Sequence, residues 1–148
     1  MRLTRSHRLI FPVLLVVSLA ACGGNDDKKE AISKSTFIEQ ANSRCAELNA
    51  AVATAEAALG SEPTEAAATA YIADVIVPQL SATVSDIRNL GFPKGDEALL
   101  DGMMDETETI LAELKQDPAS ALTMADSPFT AVNARLADYG LTVCAGEG

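Results

Sequence analysis

A row of four acidic residues is the first pattern in this sequence that could do chemistry. Glu97, Asp101, Asp105 and Glu108 recur at steps that place them on one face of a helix. Such an acidic stripe could hold a divalent cation or contact a basic partner, although a solvated helix face is the commoner origin of this pattern. A calcium-binding EF-hand loop does not fit, because Leu99 supplies no oxygen where that loop needs one.

Few other residues could support catalysis. His7 is the only histidine, and it precedes a long apolar run near the start of the chain. The sequence has no Ser-x-x-Lys motif, no phosphate-binding glycine loop and no Cys-x-x-Cys pair. We therefore expect no enzyme and no cofactor. A pair of carboxylates acting on a glycosidic bond is the catalytic alternative that composition leaves open.

The first of three cysteines, Cys22, follows a segment typical of an export signal. Three arginines, at positions 2, 5 and 8, precede an apolar run from Leu9 to Ala21, which is shorter than the ~20 residues that span a membrane. The stretch Leu19-Ala20-Ala21-Cys22 resembles the lipobox of bacterial lipoprotein precursors. That resemblance implies that the Cys22 sulfur is alkylated with diacylglycerol and that cleavage makes Cys22 the new N-terminus.

We therefore expect residues 1–21 to be a lipoprotein signal peptide and the mature chain to be lipid-anchored on the extracytoplasmic face of the cell membrane. Two acyl chains would hold it stably, since each buried methylene contributes about 0.8 kcal/mol. The alternatives are a plain signal peptide with an incidental cysteine, or an uncleaved anchor.

Export also bears on the other two cysteines, Cys45 and Cys144. Exported proteins meet an oxidising environment, so an even pair predicts a disulfide, with two free thiols as the alternative. The bridge would close nearly the whole domain. The chain-entropy model gives such a closure about 4–5 kcal/mol of stabilisation as an upper value.

Charge and composition set limits on the partners. Loss of residues 1–21 removes three arginines and no acidic residue, so the net charge would change from −10 to −13. Such a domain should repel nucleic acid and anionic lipid headgroups. Residues 22–34 are small and charged, which is typical of a flexible tether, and residues 35–148 would form the folded domain.

Helical periodicity dominates that domain, and no strand-like alternation occurs. The expected fold is all-α: an up-down four-helix bundle with a kinked second helix and a broken fourth helix, closed by one disulfide. Thr36 and Glu39 fit a capping box at the first start, and Gly60 fits the first stop. Ser61-Glu62-Pro63 would begin the second helix, with a kink at residues 74–78, and Ser127-Pro128 would divide the fourth.

Two helices carry clear apolar faces. In the first, the spacing predicts one buried face, made of Ile38, Ala41, Cys45, Leu48, Val52, Ala55 and Leu59. The third helix should begin at Asp96 and Glu97 and face inward with Leu100, Met103, Met104, Thr107, Leu111 and Leu114. The tail from Leu141 to Cys144 must then run back to meet Cys45.

Two further stretches resemble small exported helical lipoproteins of actinobacteria. They are FIEQANSRCAELN at 37–49 and NARLADYGLTVC at 133–144. The resemblance implies a helical domain with Cys45 bridged to Cys144, and it implies no activity.

These observations predict a non-enzymatic envelope lipoprotein that binds another envelope protein or a cell-wall component. The alternative is a ligand carrier that holds a divalent cation on the acidic stripe or a small hydrophobic molecule within the bundle, near Pro78.

Overall fold

The structure is a computed structural model that describes residues 31–146. The expected signal peptide, the lipidation site Cys22 and the tether before Ala31 lie outside the described residues. Within residues 31–146 every regular element is helical and no strand occurs. The expectation of an all-α chain with a Cys45–Cys144 disulfide is confirmed.

The first helix, α1, spans Lys34–Leu59. Its N-cap is Ser33, whose hydroxyl accepts a hydrogen bond from the Thr36 backbone N–H at 3.1 Å. The expected capping box at Thr36 was therefore wrong, because the helix already begins at Lys34 and Thr36 lies within its first turn, where its own N–H bonds to Ser33. Gly60 ends the helix as expected, and its φ of 87° suits a residue without a Cβ.

The second helical stretch has three parts that follow one another without interruption: α2 (Glu65–Tyr71), a π turn (Ile72–Ile76) and α3 (Val77–Asn89). The expected start at Ser61-Glu62-Pro63 was wrong, since the Thr64 side chain accepts the N–H of Ala67 and caps the helix there. In the π turn, the N–H of Val77 bonds to the carbonyl of Ile72. Pro78 follows directly and has no N–H to continue the α-helical ladder.

The second half of the chain contains α4 (Glu97–Gln116), a 3₁₀ segment (Pro118–Leu122) and α5 (Thr130–Tyr139). Gly140 ends α5 in the left-handed conformation, with φ of 108°. If α2, the π turn and α3 are counted as one helix, residues 31–146 contain four α-helices. Helix α3 packs against both α1 and α4, and α4 packs against α5.

The main core lies where α1, α3, α4, α5 and the tail meet. All six residues expected on the inward face of α4 are buried, from Leu100 to Leu114, so that prediction is confirmed. Phe37 and Leu141 are completely buried in the same core. Phe37 makes edge-to-face contacts with Phe92 and Tyr139, with ring centroids 5.7 and 6.3 Å apart.

The expected buried face of α1 is only partly correct. Phe37, Ala41 and Cys45 are the buried residues of this helix, and the later members of the face, from Leu48 to Leu59, are half-buried. Their partner α2 is rich in alanine and has no buried residue. Small side chains allow two helices to approach closely, but they are too small to shield the larger side chains of the neighbouring helix from solvent. We call residues 46–76, none of which is buried, the alanine-rich arm.

Length and composition single out one described stretch, Glu65–Asn89, as apolar enough to cross a membrane. One such stretch is a weak indicator, because helices of soluble domains pass the same test. Its Arg88 is held in ion pairs with residues of α4.

Candidate functional site

The acidic stripe of α4 is organised around one arginine. Arg88 of α3 binds three of its four carboxylates, with N–O distances of 2.7 Å to Asp101, 2.5 Å to Asp105 and 3.3 Å to Glu108. Desolvation alone would lower the pKa of Arg88, but hydrogen bonds and charges from Asp105 and Glu108 raise it above its ordinary value. These carboxylates therefore join α3 to α4.

The fourth residue of the stripe, Glu97, lies apart from this cluster. Its carboxylate accepts the backbone N–H of Gly95 at 2.6 Å, in the turn before α4. Among residues 31–146, no group of three or more carboxylate, thiol or imidazole side chains is arranged to hold a metal ion. The arrangement of Asp101, Asp105 and Glu108 thus suits an arginine fork, which matches carboxylates by planar hydrogen bonding.

The C-terminal tail is held against α1 by one asparagine. The Asn42 side chain donates to the carbonyl of Gly140 at 3.0 Å and accepts the N–H of Val143 at 3.1 Å. Asn49, two turns further along α1, donates to the carbonyl of Val143 at 3.4 Å. The turn at Gly140 is also close to α1, since a Cβ there would lie 3.1 Å from Cδ1 of Ile38.

The disulfide lies beside this clamp. Cys45 and Cys144 have a Cα–Cα distance of 5.0 Å and an S–S distance of 2.03 Å, within the range of ordinary disulfides. The stretches 37–49 and 133–144 thus meet in space: Ala41 is buried, Asn42 clamps the tail and Cys45 is bridged.

The residue before Gly140 makes a further polar contact: the Tyr139 hydroxyl donates to the carboxylate of Asp96 at 2.7 Å. Burial, followed by this hydrogen bond and the charge of Asp96, raises the pKa of Tyr139 above its ordinary value. The ammonium of Lys34 lies 4.0 Å from the Tyr139 ring centroid and 3.7 Å from Asp96. This contact joins the start of α1 to the start of α4 and the end of α5.

A cleft of about 140 Å³ opens next to the disulfide, and it is the best candidate for a binding site. Helices α1, α3, α4 and α5 line it together with the tail. Its apolar lining has a buried part and a half-buried part: Val84, Ile87, Met104 and Leu136 are buried, and Leu48, Leu80 and Phe129 are half-buried. Both cysteines of the disulfide contribute to the wall.

Four polar residues line the cleft and none of its residues is charged. The hydroxyls of Thr83 and Thr107 donate to carbonyls of their own helices, those of Gln79 and Met103. The half-buried Asn133 has no side-chain hydrogen bond to any residue between 31 and 146. An apolar concavity with a few polar groups is the usual form of a small-molecule site.

The sequence anticipated only part of this region. A hydrophobic site was expected beside the Pro78 kink, and the lining that α3 contributes begins two residues after Pro78, at Leu80, and continues to Ile87. Asn42, Asn133 and Phe129 were not identified as site residues, because helical periodicity shows which face is buried and not where neighbouring side chains leave a gap.

Comparison of the chain with protein-family models, with curated proteins and with solved structures finds no match.

Proposed function

We propose that this protein is a lipoprotein, anchored through lipid on Cys22 to the extracytoplasmic face of the cell membrane, whose helical domain binds without catalysing. The sequence around Cys22 supports the anchor. The Cys45–Cys144 disulfide supports the compartment, because such bonds persist where the surroundings are oxidising.

The observation that carries the binding role is the uncharged cleft beside the disulfide. It is formed by five separate pieces of chain. The disulfide and the Asn42 clamp fix the tail to α1, and the ion pairs of Arg88 join α3 to α4. A site built from elements fixed in this way keeps its shape before a ligand arrives, so less ordering entropy is lost on binding.

The proposal extends to the arrangement of the helices. We propose an up-down four-helix bundle, with its second helix bent at the π turn before Pro78 and its fourth interrupted between Leu122 and Thr130. The packing of α3 on α1, of α4 on α3 and of α5 on α4 supports this order.

The partner that we propose is another envelope protein or a cell-wall component. The net charge of −13 after removal of the three arginines would disfavour nucleic acid and anionic surfaces. A second candidate function is a carrier of a small hydrophobic molecule, and the apolar lining of the cleft favours it. The cation form of that candidate gains no support, since Arg88 already binds three of the four carboxylates.

The anchor is tested by the intact mass of protein extracted from membranes. We expect a chain that begins at Cys22 and carries diacylglycerol. A Cys22→Ser chain should lack that mass. An unmodified wild-type chain, released into the medium, would contradict the anchor.

The binding role is tested by placing a photo-crosslinking residue at Thr83, beside the cleft, or at Thr54, an exposed threonine of the alanine-rich arm. Both are helical and donate to a carbonyl one turn earlier, so Thr54 is a matched control. We expect a crosslinked species from Thr83 in intact cells and none from Thr54. Repeated failure at Thr83, or equal capture at both positions, would count against binding through the cleft.

A further inference from the structure

We propose that the cleft beside the disulfide binds a free, neutral, single-ring molecule that carries one hydroxyl group, as phenol does. This inference rests on the second candidate function, in which the cleft carries a small hydrophobic molecule. It adds the size, charge and polarity of the ligand.

The size of the cleft limits the ligand to about one ring. Its volume is about 140 Å³, and an engineered apolar cavity of roughly 150 Å³ in another protein accepts benzene. A flat ring also suits the lining, because Phe129 and Met104 can both contact its face or edge. Larger molecules would extend out of the cleft into solvent.

The lining also excludes a charged ligand. None of the residues around the cleft is charged, so a buried carboxylate or ammonium would lose its hydration without gaining a counter-ion. Asp105 and Glu108, which adjoin the cleft residues Met104 and Thr107 in sequence, form ion pairs with Arg88.

The hydroxyl is inferred from the polar groups that a ring would cover. The amide of Asn133 has no hydrogen bond within the described residues, and covering it with a purely apolar ligand would cost the loss of its hydration. The Thr83 and Thr107 hydroxyls already donate to backbone carbonyls, so they can only accept. A ligand hydroxyl both donates and accepts, and it can therefore pair with the Asn133 amide in either orientation.

The test is a calorimetric titration of the mature lipidated chain in phospholipid bilayers with benzene, phenol and benzoate. These probes share one ring and differ in polarity and charge. We expect phenol to bind roughly fivefold more tightly than benzene, as one net hydrogen bond contributes. Benzoate should show no saturable binding.

Two variants locate the binding and separate it from partition into the bilayer. Thr83→Phe places a ring in the cleft and should weaken phenol binding by about tenfold or more. The matched Thr54→Phe chain should bind like the wild type. Asn133→Leu should still bind benzene but should no longer prefer phenol. An unfolded chain would instead lose the binding of both probes.

The proposal is overturned if phenol binding is the same in Thr83→Phe as in the wild type, or if benzoate binds as tightly as phenol. In that event a crosslinked partner at Thr83 would still support the binding role, whereas failure of both experiments would remove both proposals.

Discussion

The two ends of α1 have different surroundings, although one continuous helix forms both. We call the first of them, together with what packs on it, the closed end: residues 34–45, α4, α5 and the tail to residue 146. Large side chains there, such as Phe37 and Leu100, are completely buried. In the alanine-rich arm, residues 46–76, no residue is buried. Periodicity is similar at both ends, so the size of the facing side chains decides how much apolar surface leaves water.

The closed end also has the covalent bridge and the shorter polar contacts. The Cys45–Cys144 bridge, the Asn42 clamp and the Tyr139–Asp96 hydrogen bond all lie there. The arm has a long hydrogen bond from Tyr71 to the Val52 carbonyl at 3.4 Å. We therefore expect the closed end to determine global stability and the arm to open locally at lower free energy.

Removing the disulfide should produce the largest effect. Changing both Cys45 and Cys144 to serine should lower the free energy of unfolding by about 4 kcal/mol, because a closed loop of nearly the whole domain is released. Chemical denaturation would measure the loss, and amide hydrogen exchange should show it mainly in α5 and the first half of α1. Equal loss of protection in the arm would contradict the division.

Truncation of one leucine at each end compares the two directly. Leu100→Ala removes a completely buried side chain and should cost about 3 kcal/mol. Leu59→Ala removes the same atoms from a half-buried site in the arm and should cost less than about 1 kcal/mol. Thermal unfolding of both variants measures the difference, and similar costs would mean that the arm has a core of its own.

The asparagine clamp can be tested with a matched pair. Asn42→Ala leaves the Gly140 carbonyl and the Val143 N–H without their partner, so it should cost about 2 kcal/mol. Asn49→Ala removes one long, exposed hydrogen bond and should cost a few tenths of a kcal/mol. A loss at Asn49 as large as that at Asn42 would show that the tail is held differently.

The smallest effect is the pH dependence from the two tyrosines. Burial, and after it the hydrogen bond to Asp96, raises the pKa of Tyr139; burial and Glu56 raise the pKa of Tyr71 in the arm. The unfolded tyrosine, with a pKa of about 10, loses its proton first, so this stability is complete below about pH 10 and is lost as the pH rises above it.

We therefore expect the wild-type free energy of unfolding to begin to decline at about pH 10 and to keep declining as the pH rises further. Tyr139→Phe should reduce this loss of unfolding free energy with pH more than Tyr71→Phe does. Tyr139 is only 8% exposed, and its hydrogen bond is shorter than that of Tyr71. Denaturant titrations across this range provide the measurement. An equal effect of both variants would contradict the contrast between the two ends.

The sequence predicted the closed end better than the arm for a physical reason. On α4, large apolar residues recur at helical spacing, and all six that were expected to be buried are buried. On α1 the same spacing continues to Leu59, but the residues of the opposing α2 are mostly alanines, which bury little of the α1 surface. A pattern on one helix contains no information about the volume that its neighbour supplies.

The candidate site was the least predictable part for the same reason. The pairing of Cys45 with Cys144 was predictable because export favours oxidation. The convergence of Asp101, Asp105 and Glu108 on Arg88 requires knowledge of how α3 lies against α4. The cleft depends on a shortfall of volume among four helices, which no single stretch of sequence records.

The length of helix α1 sets how far the domain can extend from the membrane. Its 26 residues correspond to about 39 Å of rigid rise. With the proposed lipid attached only twelve positions before its first residue, the helix begins near the bilayer and can carry its far end well beyond the phospholipid headgroups. The cleft, whose wall on α1 includes Cys45 and Leu48 partway along this helix, would then lie clear of those headgroups, where a molecule diffusing through the envelope can reach it.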